Sequence, residues 1–402
     1  MWIATLVAGV SIAGDMAAQG ALTLRVHDHG GGGGAVSSVL LANAVPVLLC
    51  VPIAGYLADR VDSRKLLVVS GGLCAALCLG LASTSTRWLL LLLIGCVAAV
   101  SAVATATLGA LVPLMAGRGG VVRANTQLRG AALISGIAGL ALAGAGSQWL
   151  GTGPVLVMDA VSFIGLAIGA LMIRTRRGAA RVRSARWTRC VVDARPRTRV
   201  ERFGPWTVTV SYALVLMLVS TTNVAQVFFV KDVLGANDLG YGAVAGCWTI
   251  GTAIALPLIR KVPSDASLLA WLTLAGEATV GVAILGCGIL STISGTVLMY
   301  VLGGVGTCVM QVSRGSYLQL TAPEERRGQQ LASYNAVAKT ASITALGVGG
   351  VLLDTLGPGQ VYLLAGAGGV LAAALAAAVF KKLQPSALSS NLFPPRSPHT
   401  TL

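Results

Sequence analysis

The sequence predicts an all-α polytopic membrane protein: twelve transmembrane helices arranged as two six-helix bundles. Three observations carry this. Of 402 residues, 55% are hydrophobic and only 11% charged, with a mean hydropathy of +0.80, whereas a soluble domain carries about 25% charged residues. Apolar blocks of about 20 residues, long enough to cross about 30 Å of hydrocarbon as helices, recur from end to end. The cations between the blocks fall almost entirely on alternate loops.

Taken in order, the blocks place spans at 2–25, 35–58, 66–85, 88–114, 126–150 and 154–173, then at 206–230, 238–259, 267–290, 293–318, 330–353 and 359–380, with ends good to about four residues. The first block lacks a basic n-region and a cleavage site, so it reads as a retained span. A short cytosolic leader is expected ahead of it. Between the sixth and seventh spans, residues 174–203 hold eleven arginines against Asp193 and Glu201, which makes this segment cytoplasmic by the positive-inside rule. Arg60, Arg64, Lys65, Arg118, Arg123, Arg260, Lys261, Arg326, Arg327, Lys381 and Lys382 fall on the same side; only Arg25, Arg87 and Lys231 fall on the other. The expected organisation is an N-terminal bundle at 1–174, a cytoplasmic Arg-rich linker at 175–204, a C-terminal bundle at 205–383 and a disordered cytoplasmic tail, rich in Pro and Ser, at 384–402. The protein is placed in the cytoplasmic membrane with both termini inside.

The halves echo each other. Asp15 to Gln19 (DMAAQ) aligns with Thr222 to Gln226 (TNVAQ) at an offset of 207, and Ala124 and Gly139 align with Ala332 and Gly347 at 208. A duplicated six-helix unit of this kind is the architecture of rocking secondary transporters, which bind substrate near the midplane between the halves. Chance matching among Ala/Gly-rich helices is the competing explanation.

The loop after the second span, GYLADRVDSRK, concentrates charge: Gly55, Asp59, Arg60, Arg64 and Lys65 match the loop signature of the major facilitator superfamily, with Asp62 where glycine is usual. VRANTQLRGAALISGIAGLALAG, GPVLVMDAVSFIGLA and LQLTAPEERRGQ resemble the branch that holds macrolide-efflux and siderophore-exporter proteins. The resemblance covers essentially the whole chain. It implies a transporter alternating between inward-open and outward-open states, in most relatives driven by protons.

The motif has a physical reading as a gate. Asp59 is placed to face the N-terminus of span eleven near Gly328 to Gln330, where unpaired amides favour an anion by about 0.3–1 kcal/mol. Such a contact holds the outward-facing state. Arg60, Arg64 and Lys65 serve as inside anchors and partners for anionic lipid; the plain alternative is a topogenic turn. The matching loop of the second half, Leu256 to Asp265, keeps Arg260 and Lys261 but has no acid at the equivalent place. Span four lacks the arginine of many drug/proton antiporters, so their charge relay does not transfer.

Charge deep in a membrane is costly and marks cavities or partners. Asp15 lies about 20 Å into the first span, with Gln19 one turn further on the same face. In the implied fold spans one, four, seven and ten line the cavity, which makes Asp15 the candidate for proton coupling or cation binding; a buried structural hydrogen bond is the alternative. Asn43, Asn223, Gln226 and Gln311 are candidate cavity donors, and each alone also suits a helix-to-helix hydrogen bond. Lys339, about 15 Å into span eleven, shares a face with Asn335; it suits an anionic part of the substrate or an acid across the interface. Arg129 and Arg314 lie nearer the cytoplasmic ends. Asp159 and Glu277, on spans peripheral in the implied fold, read mainly as structural.

His27 and His29 flank Asp28 beside five glycines, residues 30–34; so flexible a backbone reads as an outer loop rather than a metal site. The eight cysteines show neither CxxC nor metal spacing and read as small core residues. Without GxxxxGK[ST], a zincin motif or a nucleophile elbow, no ATPase or hydrolase chemistry is indicated. The sequence therefore reads as a transporter and not an enzyme. The expected partners are a small-molecule substrate, protons and the lipid bilayer, with no nucleic acid and no cofactor, and the protein is expected to act as a monomer. The function expected is export of a small amphipathic compound (a drug, antibiotic or siderophore-like metabolite) by antiport, against import of a nutrient or a non-transporting receptor.

Overall fold

The computed structural model describes residues 2–84, 86–172, 199–263, 265–321 and 327–384, without the side chains of 2–5, 59, 109–110, 112–129, 199–202, 327–329 and 331–332. The side chain of Asp59, most of the Arg-rich linker, the side chains of 327–329 at the start of the helix that carries α11, and the tail beyond Gln384 therefore lie outside the described residues. So do Cys190, Arg326 and the side chains of Arg118, Arg123 and Arg129.

The described chain is all helical, because a backbone in hydrocarbon must satisfy its polar groups within its own segment. Twelve helices are long and apolar enough to span: α1 (Leu6–Asp28), α2 (Gly33–Ala58), α3 (Ser63–Ser83), α4 (Arg87–Leu108), α5 (Gly130–Leu150), α6 (Thr152–Met172), α7 (Phe203–Val233), α8 (Asp238–Ile259), α9 (Ala266–Leu290), α10 (Ile293–Thr321), α11 (Ser333–Leu356) and α12 (Pro358–Leu383). α4 and α5 belong to one helical run, Arg87–Leu150. All twelve expected spans are present, with ends moved by a few residues where the described residues bound them, and the helix of α4 runs on without a break past residue 114.

Caps explain several boundaries. Asp62, the departure from the glycine of the loop signature, accepts from Arg64 N at 2.9 Å and Lys65 N at 3.2 Å and so caps α3. Asn237 caps α8 and Asp265 caps α9 in the same way, each accepting a backbone N–H at its helix start. Gly357, at φ +81°, turns the chain in the left-handed region and Pro358 opens α12, the arrangement that suits a residue without Cβ followed by one without N–H.

Helices α1 to α6 pack mainly on one another, and α7 to α12 do likewise; the principal contacts between the sets are α5 on α8 and α2 on α11. One end of the molecule, the basic end, carries Arg60, Arg260 and Lys381; the opposite, far end carries Gly31, Asp232 and Asp354. Among pairs of described residues, the hydrogen bonds and ion pairs joining the two sets all lie at the far end.

α5 and α8 cross there through facing glycines. A Cβ on Gly144 would lie 3.1 Å from Gly242 Cα and collide with the Asp238 carbonyl. Overpacking of this kind costs about 1–3 kcal/mol. Gly144→Val is expected to hold the far ends apart and to cut disulfide crosslinking between cysteines introduced at Gln148 and Leu239 by about tenfold.

Candidate functional site: a polar route between the two bundles

Three cavities run across the middle of the molecule and share walls. The central one, about 270 Å³, lies between the bundles and is lined by Gln19 of α1, Asn43 of α2, Asn223 and Gln226 of α7, Tyr241 of α8 and Ser342 of α11. A second, about 150 Å³, extends into the N-terminal bundle through Gln19 and Asn43 to Asp15, Asp159, Cys78 and Ser101. A third, about 320 Å³, extends into the C-terminal bundle through Asn223 and Gln226 to Thr222, Gln311, Trp248, Tyr300 and Tyr362. Five predicted residues (Gln19, Asn43, Asn223, Gln226 and Gln311) and Asp15 thus converge on one connected system.

The duplicated sequence register reappears as geometry. Gln19 and Gln226, matched at offset 207, both line the central cavity, while their partners Asp15 and Thr222 lie in the N-terminal and C-terminal side pockets. Thr222 was therefore within reach of the sequence, through its pairing with Asp15. Tyr241, Trp248, Tyr300 and Tyr362 were not, because an aromatic in an apolar span carries no mark of what it faces.

The two side pockets differ in chemistry. Asp159 is 2% exposed; Ser162 Oγ donates to its Oδ1 at 3.2 Å and Cys78 Sγ to its Oδ2 at 3.4 Å. These bonds are the structural role expected of it, but Asp159 also lines the pocket of Asp15, because α6 packs against α1 where Gly14 has no Cβ to exclude the carboxylate. Among the described residues no basic side chain lines any of the three cavities, and Asp15 and Asp159 are the carboxyl groups on their walls. The C-terminal pocket is aromatic: Tyr300 and Tyr362 hydroxyls meet at 2.7 Å, Trp248 stands edge-on to Tyr300 with centroids 5.5 Å apart, and Phe229 stacks on Tyr362.

Asn335 and Lys339 lie nearer the basic end. Neither lines these cavities; both are exposed near the basic end of α11, and Asn335 Oδ1 accepts from Arg314 Nη1 at 3.4 Å. Helical spacing puts them on the face of α11 that carries Ser342 and Leu346 of the central cavity, one to three turns nearer the basic end. Arg314 also lies over the Tyr212 ring at 4.1 Å and donates to the Tyr334 carbonyl, and Glu277, fully buried, accepts from Ser211 Oγ at 3.2 Å. Both residues join helices within the C-terminal bundle, in line with the structural reading of Glu277.

Of the loop motif, Gly55 is exposed, Arg60 stacks on Tyr56 at 4.5 Å, Arg64 is half-buried and Lys65 is exposed. The far end, in contrast, is tied shut. His27 Nε2 lies 3.0 Å from Asp232 Oδ1, and Lys231 Nζ reaches Asp28 at 2.5 Å and Asp238 at 2.6 Å. Asp354, at the end of α11, accepts from Gly33 N at 2.6 Å and Gly34 N at 3.2 Å. The stretch expected as a flexible outer loop is thus ordered on both sides: His27 and Asp28 continue α1, and Gly33 and Gly34 form the first turn of α2. A Cβ on Gly33 would lie 2.7 Å from the Gly350 carbonyl, so glycine is what lets α2 meet α11. At mid-span, Asn223 and Gln311 remain exposed. This geometry is a polar route whose far end is tied across the two bundles.

Comparison with known proteins agrees with the architecture. The family model of the Major Facilitator Superfamily matches residues 2–222 and again 208–398. The chain belongs to the Major Facilitator Superfamily, a family of membrane transporters. No curated protein matches the sequence. Among solved structures, a POT family transporter in complex with a thioalcohol-conjugated peptide superposes with a TM-score of 0.75 at 10% identity, over 95% of this chain and 96% of that one. The nucleoside transporter NupG gives 0.73 at 12% identity, over 94% and 98%. A bacterial homologue of the iron transporter ferroportin, in its inward-facing state, gives 0.66 at 17% identity, over 94% and 97%. At such identities the likeness is one of fold.

Proposed function

We propose that this protein is a secondary active exporter of a small amphipathic organic compound, a drug, antibiotic or siderophore-like metabolite, working by alternating access and coupled to protons as an antiporter. The observation that carries the reading is the system of adjoining polar cavities between the bundles, tied shut at the far end. Its amides and carboxyl groups suit the polar part of such a compound, and the wall of Trp248, Tyr300 and Tyr362 suits the apolar part. The sequence segments resembling the macrolide-efflux and siderophore-exporter branch support export in particular. Asp15 is the coupling residue in this reading: gain or loss of one proton changes the charge of a wall that Gln19 and Asn43 share with the substrate cavity.

The proposed setting is the cytoplasmic membrane, with the basic end and both termini inside and the protein acting as a monomer. The bundles are assigned to 1–174 and 205–383. The far end is then the outer gate, held closed by these contacts. Asp59 supplies the opposite latch, on the N-terminus of α11, once the basic ends close. Asp59→Asn is expected to slow exchange by about two- to fivefold, the weight of a helix-terminus contact, without affecting membrane insertion; an unchanged rate would remove the latch.

The function is tested in proteoliposomes with an imposed pH gradient and a panel of amphipathic antibiotics and siderophores. Export by antiport predicts solute movement against proton flow. Solute moving with protons would instead make the protein an importer, and the absence of any solute-coupled proton flux would leave a receptor.

A further inference from the structure

At the far end of the N-terminal bundle lies a separate cavity of about 350 Å³, outside the route described above. Its polar wall comes from Arg25 at the end of α1, His29 in the following turn, Ser38 of α2 and Arg87 at the start of α4; Leu90 and Leu91 supply apolar surface. Arg25 Nη2 donates to the Thr84 carbonyl at 3.0 Å and His29 Nδ1 lies 2.7 Å from the Arg25 carbonyl, which fixes both side chains at the pocket. Among the described residues no acid pairs with Arg25 or Arg87; the nearby Asp28 is taken by Lys231.

Topology makes this pocket unusual. Three cations stand at the end of the molecule that the positive-inside rule leaves poor in them. Lys231 is neutralised by Asp28 and Asp238; the other two meet in one cavity. Trp88, next to Arg87, is 78% exposed, the placement of an aromatic anchor at headgroup depth. Two guanidinium groups with no acid partner among the described residues match the oxygens of a phosphate in geometry and charge. The leucine wall beside them suits the glycerol and acyl part that a free phosphate ion lacks.

We propose that this pocket binds the phosphate headgroup of an anionic lipid, in the outer leaflet on the orientation proposed above. The site also has a place in the gate. The turn that supplies His29 and Gly31 to the pocket leads directly into Gly33 and Gly34, the amides held by Asp354. A bound lipid therefore braces the turn in the conformation that closes the far end.

The test uses the full-length protein in phosphatidylcholine nanodiscs with a trace of photoactivatable phosphatidylglycerol, crosslinked peptides being mapped by mass spectrometry. Labelling of 25–39 and 87–91 is expected in the unmodified protein. It should fall about tenfold in R25Q/R87Q, given the contribution of each basic group to lipid attraction, while labelling around Arg260 and Lys261 at the basic end persists and shows that the variant is folded. Undiminished pocket labelling in a folded double variant would overturn the proposal. So would equal labelling by photoactivatable phosphatidylcholine, or displacement by inorganic phosphate, which would point to a free-anion site. If the double variant does not fold, competition on the unmodified protein decides: excess unlabelled phosphatidylglycerol must suppress pocket labelling, and failure to do so overturns the site.

Discussion

Asp354→Asn is expected to shift the protein toward the state open at the far end by about fivefold, because the two charge-assisted bonds from Gly33 N and Gly34 N are reduced to neutral ones. Bonds to a charged acceptor are worth about 1.5–3 kcal/mol when shielded; Asp354 is exposed, and solvent screening brings the loss to about 1 kcal/mol, or about fivefold in population. The readout is the distance distribution between spin labels at Trp149 of α5 and Val233 of α7, exposed positions on opposite bundles at this end. A longer-distance component should grow in the variant, and further when Lys231→Gln removes the link to Asp28. An unaltered distribution in D354N/K231Q would mean that packing at Gly144 and Gly242, not charge, closes this gate.

The proposed pair Asp59 and Asp354 has a simple logic. α2 and α11 are antiparallel neighbours, so the C-terminal end of each lies beside the N-terminal end of the other. A carboxylate at either C-terminal end can meet the unpaired amides opposite, and rocking brings only one such contact together at a time. Asp354 is observed in that position; Asp59 is its proposed counterpart for the alternate state.

The second large effect is expected at Asp15. Asp15→Asn leaves the shape of the pocket and its neighbours Gln19 and Asn43 in place but removes one of the two carboxyl groups described there, Asp159 being the other. In proteoliposomes, transport driven by a pH gradient should fall by at least about a hundredfold, the lower range for losing a positioned proton-transfer group, while substrate binding measured without a gradient changes far less. The direction follows from antiport: acid outside should accelerate export by the unmodified protein and leave the variant unaffected. A variant whose export still tracks the gradient would move the coupling role to Asp159, with Asp159→Asn as the deciding comparison.

The parts of the fold that hydropathy controls were legible in the chain. A span must be apolar for its whole length, whatever it packs against, so twelve spans and their approximate ends follow from composition. Amides within such spans are costly enough to imply a reason, and Gln19, Asn43, Asn223 and Gln226 do converge on one cavity. Where polar residues extend a helix, hydropathy misleads. α1 continues through His27 and Asp28 and α11 through Asp354, because partners on the opposite bundle take up their charge.

Polarity says that a side chain avoids lipid but not which surface it meets instead. Lys339 and Asn335 carry the same signal as Asn223 and share the face of α11 with Ser342 and Leu346, yet they stand outside these cavities because they lie nearer the basic end, a depth that only the packed bundles define. Asp159 carries the signal of a buried structural acid, and it reaches the pocket of Asp15 only because Gly14 leaves room. The glycine run at residues 30–34 looks like slack in one dimension; in three it is a close crossing that needs hydrogen in place of a side chain. Topology, duplication and the cost of buried amides are properties of a chain in a bilayer and are written along it. The gate, the joining of three cavities and the meeting of Arg25 with Arg87 depend on contacts between helices distant in sequence, and those exist only once the bundles have packed.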